Sequence, residues 1–530
     1  MKRTVLAGLG LALLTALATP AQATAAPASD STARATPRSD AAVVTTAAGA
    51  VRGTVDPRVR SFQGIPYATA ARFAAPRPAA PWNGVRDATR PGAVCAQPAG
   101  PPIGKPSTDE DCLNLNVTTP RGKGGKSSKS GKRPVIVWVH GGSMTVGMGD
   151  LYGPDRLTAG GAVVVSMNYR LGATSFLTHP SLKESGGLAL DDQRAALRWV
   201  HRNIEAFGGD PSNVTLMGQS GGGFSVCGHL ASPASAGLFH RAIIQSAPCG
   251  TPGNASHTRA QAREETRKVI NKTRCATASD VGDCLRKLPI EDLLKAYGSD
   301  REPRPVSGTR TLPLPVDRAL RTGRFNRVPV LIGVNHDEEN GMVLGQELAT
   351  GTPMKADAYE PAVEEEYGER ARAVLRRYPL GTSAGRTWAK VKTDAVWAAP
   401  TLDTARALSR WTPTRMYEFA AQDTPWYAGT ETLSFPAAAQ HMAELPYLFD
   451  LDLFEELTPE QADLGRRMIG AWTRFAATGD PNGGGETAWP RLSDSRGKAG
   501  RHVQSLTNGT WKRADFAEEH HYRFWSPRKG

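Results

Sequence analysis

The sequence has no apolar run long enough to cross a bilayer. Its longest run, Val5 to Ala18, spans about 14 residues, whereas a transmembrane helix needs roughly 20. The run follows the basic "MKR" and precedes the small residues "AQA" at 21–23, a pattern typical of a cleaved secretory signal peptide. No cysteine follows it, which disfavours a lipoprotein. We therefore predict a signal peptide over 1–23, a flexible leader over 24–41, and a secreted, extracellular protein without stable membrane insertion.

Aromatic residues are missing from the most basic segment. The chain has a formal net charge of +13, and six basic residues lie among Gly and Ser in "PRGKGGKSSKSGKRP", Pro120 to Pro134. Surfaces for single-stranded nucleic acid combine positive charge with aromatic side chains that stack on bases. We therefore predict a solvated loop between strands and no nucleic-acid partner. An arm for anionic polymers or membrane surfaces is the alternative.

Cysteine is scarce, with six residues in 530. In an exported protein, cysteines are expected to form disulfides. Two pairs are close in sequence and enclose short loops, so we predict that each forms a local disulfide: Cys95–Cys112 and Cys275–Cys284. The other two, Cys227 and Cys249, are predicted to be buried free thiols, with a third disulfide as the alternative.

Apolar runs without alternation predict a parallel sheet. Strands buried on both faces have this composition, and strand–helix alternation favours an α/β fold. The predicted strands lie at 135–140, 162–169, 213–218, 241–247, 328–335 and 414–421. A helical pattern ending at Gly208 and Gly209 separates the second strand from the third, and a mostly helical insertion covers about 343 to 410.

The N-terminal part of the mature chain predicts a β-hairpin meander that lies against the main sheet. No internal repeat is visible, and no linker divides the chain that follows the leader. We therefore predict a single domain over 42–530.

The stretch "NVTLMGQSGGGFSV", Asn213 to Val226, places a serine between glycines after an apolar run. A phosphate-binding loop requires a lysine after its last glycine, and a dinucleotide loop requires G-x-G-x-x-G; neither is present. The spacing of Gly218, Ser220 and Gly222 fits G-x-S-x-G. Between a strand and a helix, this motif presents a nucleophilic serine on a sharp, strained turn, and small neighbours let the turn close.

A second motif supports this interpretation. "VIVWVHGGS" ends a predicted strand and continues into His140-Gly141-Gly142. Lipases and esterases place at this point the loop whose N–H groups hold an oxyanion. A simple turn after a strand is the alternative.

Together these motifs resemble the type-B carboxylesterase family, which includes bacterial para-nitrobenzyl esterases, animal carboxylesterases and cholinesterases. The resemblance spans about Ala42 to Trp525, in the family's order. The matching stretches are "FQGIPYA", "EDCLNLNV", "HGG", "NYRLG", "DQRAALRWVHRNIEAFGGDPSNVTLMGQSGGG", "GLFHRAIIQSA", "VPVLIGVNHDE", "HMAELPYLF" and "WTRFAATGDPN".

The resemblance implies an α/β-hydrolase fold with an enlarged, mostly parallel mixed central sheet and helical insertions. It also implies a serine carboxyl-ester hydrolase that forms an acyl-enzyme with a small-molecule ester and needs no cofactor or metal. A monomer is favoured. The alternatives are a catalytically weak or non-catalytic binding protein, or a peptidase or amidase on the same fold.

Residue by residue, the family's nucleophile matches Ser220, its acid Glu338 and its base His441. Asp337 is the alternative acid, and His336 and His140 are the rival bases. Two disulfides of the family match the local pairs Cys95–Cys112 and Cys275–Cys284 predicted above. His520 and His521 lack nearby ligands at metal spacing and are predicted to lie on the surface of the tail.

The family's oxyanion donors match the N–H groups of Gly142, Ser143 and Gly221. Two departures affect this site. The family usually has glycine where Ser143 stands, and usually Glu-Ser-Ala where this chain has Gln219-Ser220-Gly221. A backbone N–H survives both changes, so the donors are retained.

The first disulfide loop, Ala96 to Asp111, contains no aromatic residue. In the family's cholinesterases a tryptophan of this loop binds quaternary ammonium. Trp82 precedes the loop and is predicted to pack against the N-terminal segment instead. We therefore expect a preference for neutral esters over choline esters.

Overall fold

The buried β-branched runs form the centre of an eleven-stranded mixed sheet in a computed structural model of the chain. The structure describes residues 42–100, 103–122, 131–182, 186–299, 301–430, 432–493 and 502–526. The predicted signal peptide and leader, and residues 123–130 of the basic segment, lie outside the described residues.

The main sheet has the strand order β16-β15-β14-β13-β12-β11-β9-β10-β8-β4-β3. Strands β1, β2 and β7 form a separate three-stranded sheet, and β5 pairs with β6. The strands are β1 Val43–Thr46, β2 Gly49–Arg52, β3 Thr54–Val55, β4 Val59–Pro66, β5 Ala68–Thr69, β6 Arg77–Pro78, β7 Val85–Asp87, β8 Asn114–Pro120, β9 Arg133–Val139, β10 Val163–Met167, β11 Gly209–Gln219, β12 Arg241–Gln245, β13 Val330–Asn335, β14 Thr414–Phe419, β15 Val503–Leu506 and β16 Lys512–Arg513.

The seven central strands β10, β9, β11, β12, β13, β14 and β15 are parallel to one another, whereas β3, β4, β8 and β16 pair antiparallel with their neighbours. This confirms the predicted fold class, an α/β-hydrolase fold with a mostly parallel mixed sheet. The predicted N-terminal hairpin is present as β1–β2, which pairs with β7 in the separate sheet. Its Val44 and Val51 belong to the same apolar core as Phe62 of the main sheet.

Helices cover both faces of the sheet, and the predicted helical insertion is present between β13 and β14. The α-helices are α1 Asp155–Ala159, α2 Gly172–Phe176, α3 Leu188–Asn203, α4 Gly221–Ala231, α5 Arg259–Ile270, α6 Val281–Lys287, α7 Ile290–Tyr297, α8 Val316–Arg321, α9 Asn340–Thr350, α10 Ala356–Tyr367, α11 Ala371–Arg377, α12 Ala384–Lys392, α13 Ala399–Ser409, α14 Pro459–Thr478, α15 Phe516–Glu519 and α16 Tyr522–Trp525. A π-helix, Thr393–Ala398, joins α12 to α13. Short 3₁₀ turns lie at Gly149–Leu151, Ile204–Phe207, Pro233–Ser235, Arg274–Thr277, Gly368–Arg370 and Leu445–Tyr447.

Two large apolar cores lie on opposite faces of the sheet. Along β9, Val135, Val137 and Val139 belong to one core, and Ile136 and Trp138 belong to the other. All five side chains are fully buried. Burial on both faces explains why these strands show no polar alternation in the sequence.

Three disulfides are present, not two. The predicted bridges Cys95–Cys112 and Cys275–Cys284 are confirmed, and the prediction that Cys227 and Cys249 are free thiols was wrong because they are bonded to each other. Both sulfur-bearing residues are fully buried, one in α4 and the other four residues after β12. Nothing in the local sequence indicates that α4 packs against the end of β12, so the third disulfide was only the alternative to free thiols.

Candidate active site

Ser220 lies on the turn between β11 and α4. Its backbone angles, φ 53° and ψ −124°, lie where non-glycine residues are rarely found. The turn is held by two hydrogen bonds: Ser220 N–H donates to the carbonyl of Gln245 at 2.9 Å, and Phe224 N–H donates to the carbonyl of Ser220 at 2.9 Å. A strained serine between a strand and a helix is the geometry that G-x-S-x-G predicts.

The glycines on each side of Ser220 are required by close backbone approach. A Cβ at Gly222 would lie 1.9 Å from the carbonyl oxygen of Val139, and a Cβ at Gly218 would lie 2.5 Å from the carbonyl carbon of Gly222. Neither neighbour is the end of a flexible side chain. Any larger residue therefore has to displace β9 or the turn itself, as the predicted need for small residues implies.

The loop after β9 approaches the start of α4. Gly142, Ser143 and Met144 have positive φ of 100°, 53° and 57°. A Cβ at Gly221 would lie 3.1 Å from Ser143 N and 2.8 Å from Met144 N, so the loop occupies the space that an alanine would need. Among the described residues, none accepts a hydrogen bond from the N–H groups of Gly142, Ser143 or Gly221. Three donors close to Ser220 are suited to bind an oxyanion.

His441 and Glu338 form a buried pair. His441 Nδ1 lies 2.5 Å from Glu338 Oε2, and the backbone N–H of His441 donates to the carbonyl of Glu338 at 3.1 Å. The second carboxylate oxygen, Oε1, accepts from Ser246 Oγ at 2.6 Å and from Asn335 N–H at 2.8 Å. Contacts to both of its oxygens therefore hold the Glu338 carboxylate in place, and Oε2 orients the imidazole ring of His441.

The alternative acid and bases face other groups. Asp337 accepts from Gln422 Nε2 at 2.9 Å and lies beside His336, whose Nδ1 is 3.1 Å from Asp337 Oδ2. His140 stacks on Tyr169 with ring centroids 4.4 Å apart, and burial lowers its pKa to about 4. Of the acids considered, the structure brings Glu338 to His441.

The electrostatic environment of His441 favours its charged form. Burial alone lowers the pKa of His441, but the Glu338 carboxylate and its hydrogen bond raise it, and the net pKa lies above the ordinary value of 6.5. His441 Nε2 is buried without a hydrogen-bond partner among the described residues. With Nδ1 directed to Glu338, the lone pair of Nε2 is available to accept a proton.

Several supporting residues were not predicted as such from the sequence. Ser246, at φ 48°, holds Glu338, and Gln219 Nε2 donates to the carbonyl of His441 at 2.8 Å. Glu444 accepts from Gln245 Nε2 at 2.9 Å, and burial together with the Glu338 charge raises its pKa to about 7. Ser246 and Glu444 lie inside the matched stretches "IIQSA" and "HMAELPY", which was the available signal.

The surface position predicted for His520 was wrong. His520 is fully buried; its Nδ1 lies 2.6 Å from Asp394 and its Nε2 lies 2.6 Å from Glu418. Burial and the charge of Lys390 lower the pKa of His520, but the two carboxylates raise it above the ordinary value. His521, in contrast, is partly exposed. The partners of His520 lie more than 100 positions away in sequence, so local composition does not reveal them.

His336, Glu418 and His520 are also the described residues best placed to hold a metal ion. One ligand atom from each lies within 4.8 Å of the others. The two nitrogens of His520 already face carboxylates at hydrogen-bond distance, which is the arrangement of an imidazolium between two anions. Both nitrogens of His520 are therefore already engaged by carboxylates.

Trp82 packs as predicted, since its Nε1 donates to the carbonyl of Ala50 at 2.9 Å. Within the described ranges, no helix combines the length and the apolar character needed to span a bilayer.

Comparisons with known proteins agree with this geometry. The sequence model of the carboxylesterase family matches residues 40–525. The para-nitrobenzyl esterase of Bacillus subtilis (strain 168) is 35% identical over 476 residues, which cover 83% of this chain and 90% of that protein. Carboxylesterase 3 of Pongo abelii is 34% identical over 495 residues, covering 84% and 83% of the two chains.

Solved structures give the same result. A PNB esterase has a TM-score of 0.73 at 32% identity, over 91% of this chain and 99% of its own. A thermophilic PNB esterase has a TM-score of 0.74 at 31% identity, over the same shares. The chain therefore belongs to the carboxylesterase family and is a carboxylic ester hydrolase.

Proposed function

We propose that the protein is a secreted serine hydrolase that cleaves neutral carboxylic esters through an acyl-enzyme, with Ser220, Glu338 and His441 as its catalytic residues. The observation that carries the proposal is the arrangement of these groups. A strained serine stands at the head of α4, and an imidazole is oriented by a buried carboxylate and has one free nitrogen.

In the first half-reaction His441 Nε2 accepts the proton of Ser220 Oγ as the oxygen attacks the ester carbonyl. The imidazolium formed is stabilised by Glu338, whose oxygen lies 2.5 Å from Nδ1. The tetrahedral intermediate then expels the alkoxide, which takes the proton from Nε2 and leaves as the alcohol. A water molecule repeats the sequence on the acyl-enzyme and releases the carboxylic acid.

The N–H groups of Gly142, Ser143 and Gly221 are proposed to bind the oxyanion. The support is that all three donors have no acceptor among the described residues and that Gly221 lies beside Ser143. Preorganised donors need no reorganisation when charge develops, which is why such a site lowers the barrier.

Secretion and a monomeric, single-domain form over 42–530 are part of the proposal. Three disulfides are expected of a protein from an oxidising compartment. The main sheet contains β3 and β4 from the N-terminal part of the described chain and β15 and β16 from its C-terminal part. Because strands from both parts belong to one sheet, a single domain is supported.

The test is hydrolysis of p-nitrophenyl esters of graded chain length. We expect turnover by the wild-type protein and a loss of roughly 10⁴-fold or more in Ser220→Ala and in His441→Ala, with circular dichroism unchanged. Ser212→Ala and His201→Ala are matched controls, because both side chains are exposed and lie outside the site. Normal turnover by a folded Ser220→Ala variant would contradict the proposal.

A further inference from the structure

A tryptophan outside the serine, glutamate and histidine set lies against the ring of His441. The ring centroids of Trp397 and His441 are 4.6 Å apart, and the ring planes meet at 48°. Trp397 belongs to the π-helix Thr393–Ala398, an element that is rare and is frequent at functional sites. The indole is partly exposed, whereas the imidazole of His441 is buried.

Glu339 fixes the indole in this position. Trp397 Nε1 donates to Glu339 Oε1 at 2.6 Å, and the backbone N–H of Glu339 donates to Thr393 Oγ1 at 3.0 Å. Glu339 directly follows Glu338 in the turn after β13. Two hydrogen bonds therefore clamp the π-helix to the turn that carries the proposed acid.

The π-helix is also anchored on its other side. Asp394 accepts from Tyr378 OH at 2.8 Å and from Lys390 Nζ at 2.6 Å, and its Oδ1 lies 2.6 Å from His520 Nδ1. Asp394 and His520 are fully buried. The backbone under Trp397 is thus held by an ion-pair network, which limits its freedom to move away from His441.

We propose that Trp397 and Glu339 are positioning residues for His441: the indole restricts rotation of the imidazole, and the carboxylate favours its protonated form. This inference rests on the proposed function, because it assigns to both residues an effect on the proposed base. Small errors in the placement of a catalytic group cost rate steeply, up to about 100-fold for about 1 Å. An indole face beside an imidazolium also attracts its charge.

Other charged groups face this pair. Glu338 and Glu444 act on His441 from the β13 turn and from its own segment, and Lys392 of α12 acts on Glu339. Burial and the charge of Glu338 raise the pKa of Glu339 above its ordinary value, although the Trp397 hydrogen bond and the charges of Lys392 and His441 act in the opposite direction. Removing the Glu339 charge removes one of the anions that favour the imidazolium. The pKa of His441 is then expected to fall.

Three variants test the inference: Trp397→Ala, Trp397→Phe and Glu339→Gln. We expect Trp397→Ala to lower kcat roughly 10- to 100-fold, with little change in KM, and Trp397→Phe to recover most of the loss because a ring remains. We expect Glu339→Gln to move the acid limb of the kcat/KM profile to lower pH. A structural role alone would lower stability without moving this limb.

Matched controls come from the same region. Trp388→Ala removes a partly buried tryptophan of α12, and Glu366→Gln removes a carboxylate that pairs with Lys392 at 3.1 Å. Neither side chain touches His441, so both controls should keep the wild-type kcat and acid limb. Equal losses in Trp397→Ala and Trp388→Ala, a change confined to KM, or an unmoved acid limb in Glu339→Gln would overturn the inference.

A second readout separates this inference from the proposed function. The protein labelled with ¹⁵N-histidine gives the pKa of His441 without substrate, and the resonance is identified by its loss in His441→Ala. We expect a lower pKa in Glu339→Gln than in wild type. An unchanged pKa would overturn the inference even if ester hydrolysis is found. Loss of the proposed function, in contrast, is seen as equal turnover by wild type and Ser220→Ala.

Discussion

The two sides of the proposed active site are held in place by different kinds of contact. On the nucleophile side, the turn at 218–223 and the loop at 141–144 use backbone N–H groups, positive φ angles and the absence of side chains. On the base side, Glu338, His441 and Trp397 are held by hydrogen bonds between side chains and by a ring contact. The geometry of the nucleophile side depends on close packing of the backbone, and the protonation of the base side depends on the charges around His441.

This difference predicts different sensitivities. Adding a single methyl group to the nucleophile side displaces backbone, because the nearest atoms belong to neighbouring strands and loops. Changing a charge on the base side alters the pKa of His441 while leaving the backbone in place. The two sides meet at Gln219, which donates to the carbonyl of His441, and at the Cys227–Cys249 bridge.

Among changes that keep Ser220 and His441, the largest effect is expected from Glu338→Gln. The variant keeps the shape of the side chain but removes the charge that stabilises the imidazolium, so kcat/KM should fall roughly 10³- to 10⁴-fold. Asp337→Asn is the matched control, since Asp337 faces His336 and Gln422 instead. Steady-state kinetics with p-nitrophenyl acetate measure both. A larger loss in Asp337→Asn would assign the acid to the neighbouring residue.

A smaller but graded effect is expected on the nucleophile side. Gly222→Ala places a Cβ 1.9 Å from Val139 O and should lower kcat/KM by about 100-fold, with a loss of stability of about 1–3 kcal/mol. Gly221→Ala meets Met144 N at 2.8 Å and should cost about 10-fold, because a loop can give way more easily than a strand. Gly345→Ala is the control, since its Cβ meets nothing within 4 Å. The reverse order of the two losses would contradict the steric account.

The disulfide that joins the two sides is expected to affect stability first. Cys227→Ala with Cys249→Ala should lower the free energy of unfolding by about 2–5 kcal/mol. It should also reduce kcat several-fold, because Cys249 follows the segment of Ser246, which holds Glu338. Denaturant unfolding and kinetics measure these two effects. The matched pair Cys275→Ala with Cys284→Ala should lower stability alone, and an equal loss of kcat in both pairs would refute a positioning role.

The smallest effect concerns the alcohol group of the ester. The first disulfide loop packs on the loop that follows β9: Gln97 Nε2 donates to Gly147 O at 2.9 Å, and Ile103 Cδ1 would lie 3.1 Å from a Cβ at Gly142. This aliphatic residue offers no face for a quaternary ammonium. We expect kcat/KM for butyrylcholine to be lower than for an uncharged butyrate ester of similar leaving-group acidity.

Ile103→Trp should shift that ratio towards choline by about 2- to 30-fold, the range of a cation–π contact. Ile103→Leu is the control for a change of shape without an aromatic ring. A preference for choline in the wild-type protein would defeat this interpretation.

The sequence predicted the nucleophile side better than the base side. A strand, a glycine-rich turn and a helix are consecutive in the chain, so 213–231 contains nearly all the information that its geometry requires. The pairing of Glu338 with His441 spans 103 positions and was available only through the family resemblance. The contacts of Trp397 and His520 follow no motif, because they depend on how the helical insertion and the C-terminal segment pack.

The same reasoning explains the two errors. The short sequence separation within each pair allowed Cys95–Cys112 and Cys275–Cys284 to be predicted. Cys227 and Cys249, in contrast, are brought together by the packing of α4 on the end of β12. There a Cβ at Gly223 would lie 2.7 Å from Ala247 Cβ. His520 was assigned to the surface from its position near the end of the chain, whereas buried carboxylates from two distant elements surround it.

The central claim is that Ser220 is the nucleophile and His441 its base. The most direct measurement is reaction with a p-nitrophenyl phosphonate, followed by peptide mass analysis. Attack by Ser220 Oγ on phosphorus expels p-nitrophenolate, so the account predicts one p-nitrophenolate released per chain and the phosphonyl group on Ser220. His441→Ala should react slowly, and Ser220→Ala should not react at this position. A label on another residue, or equal labelling in His441→Ala, would contradict the account.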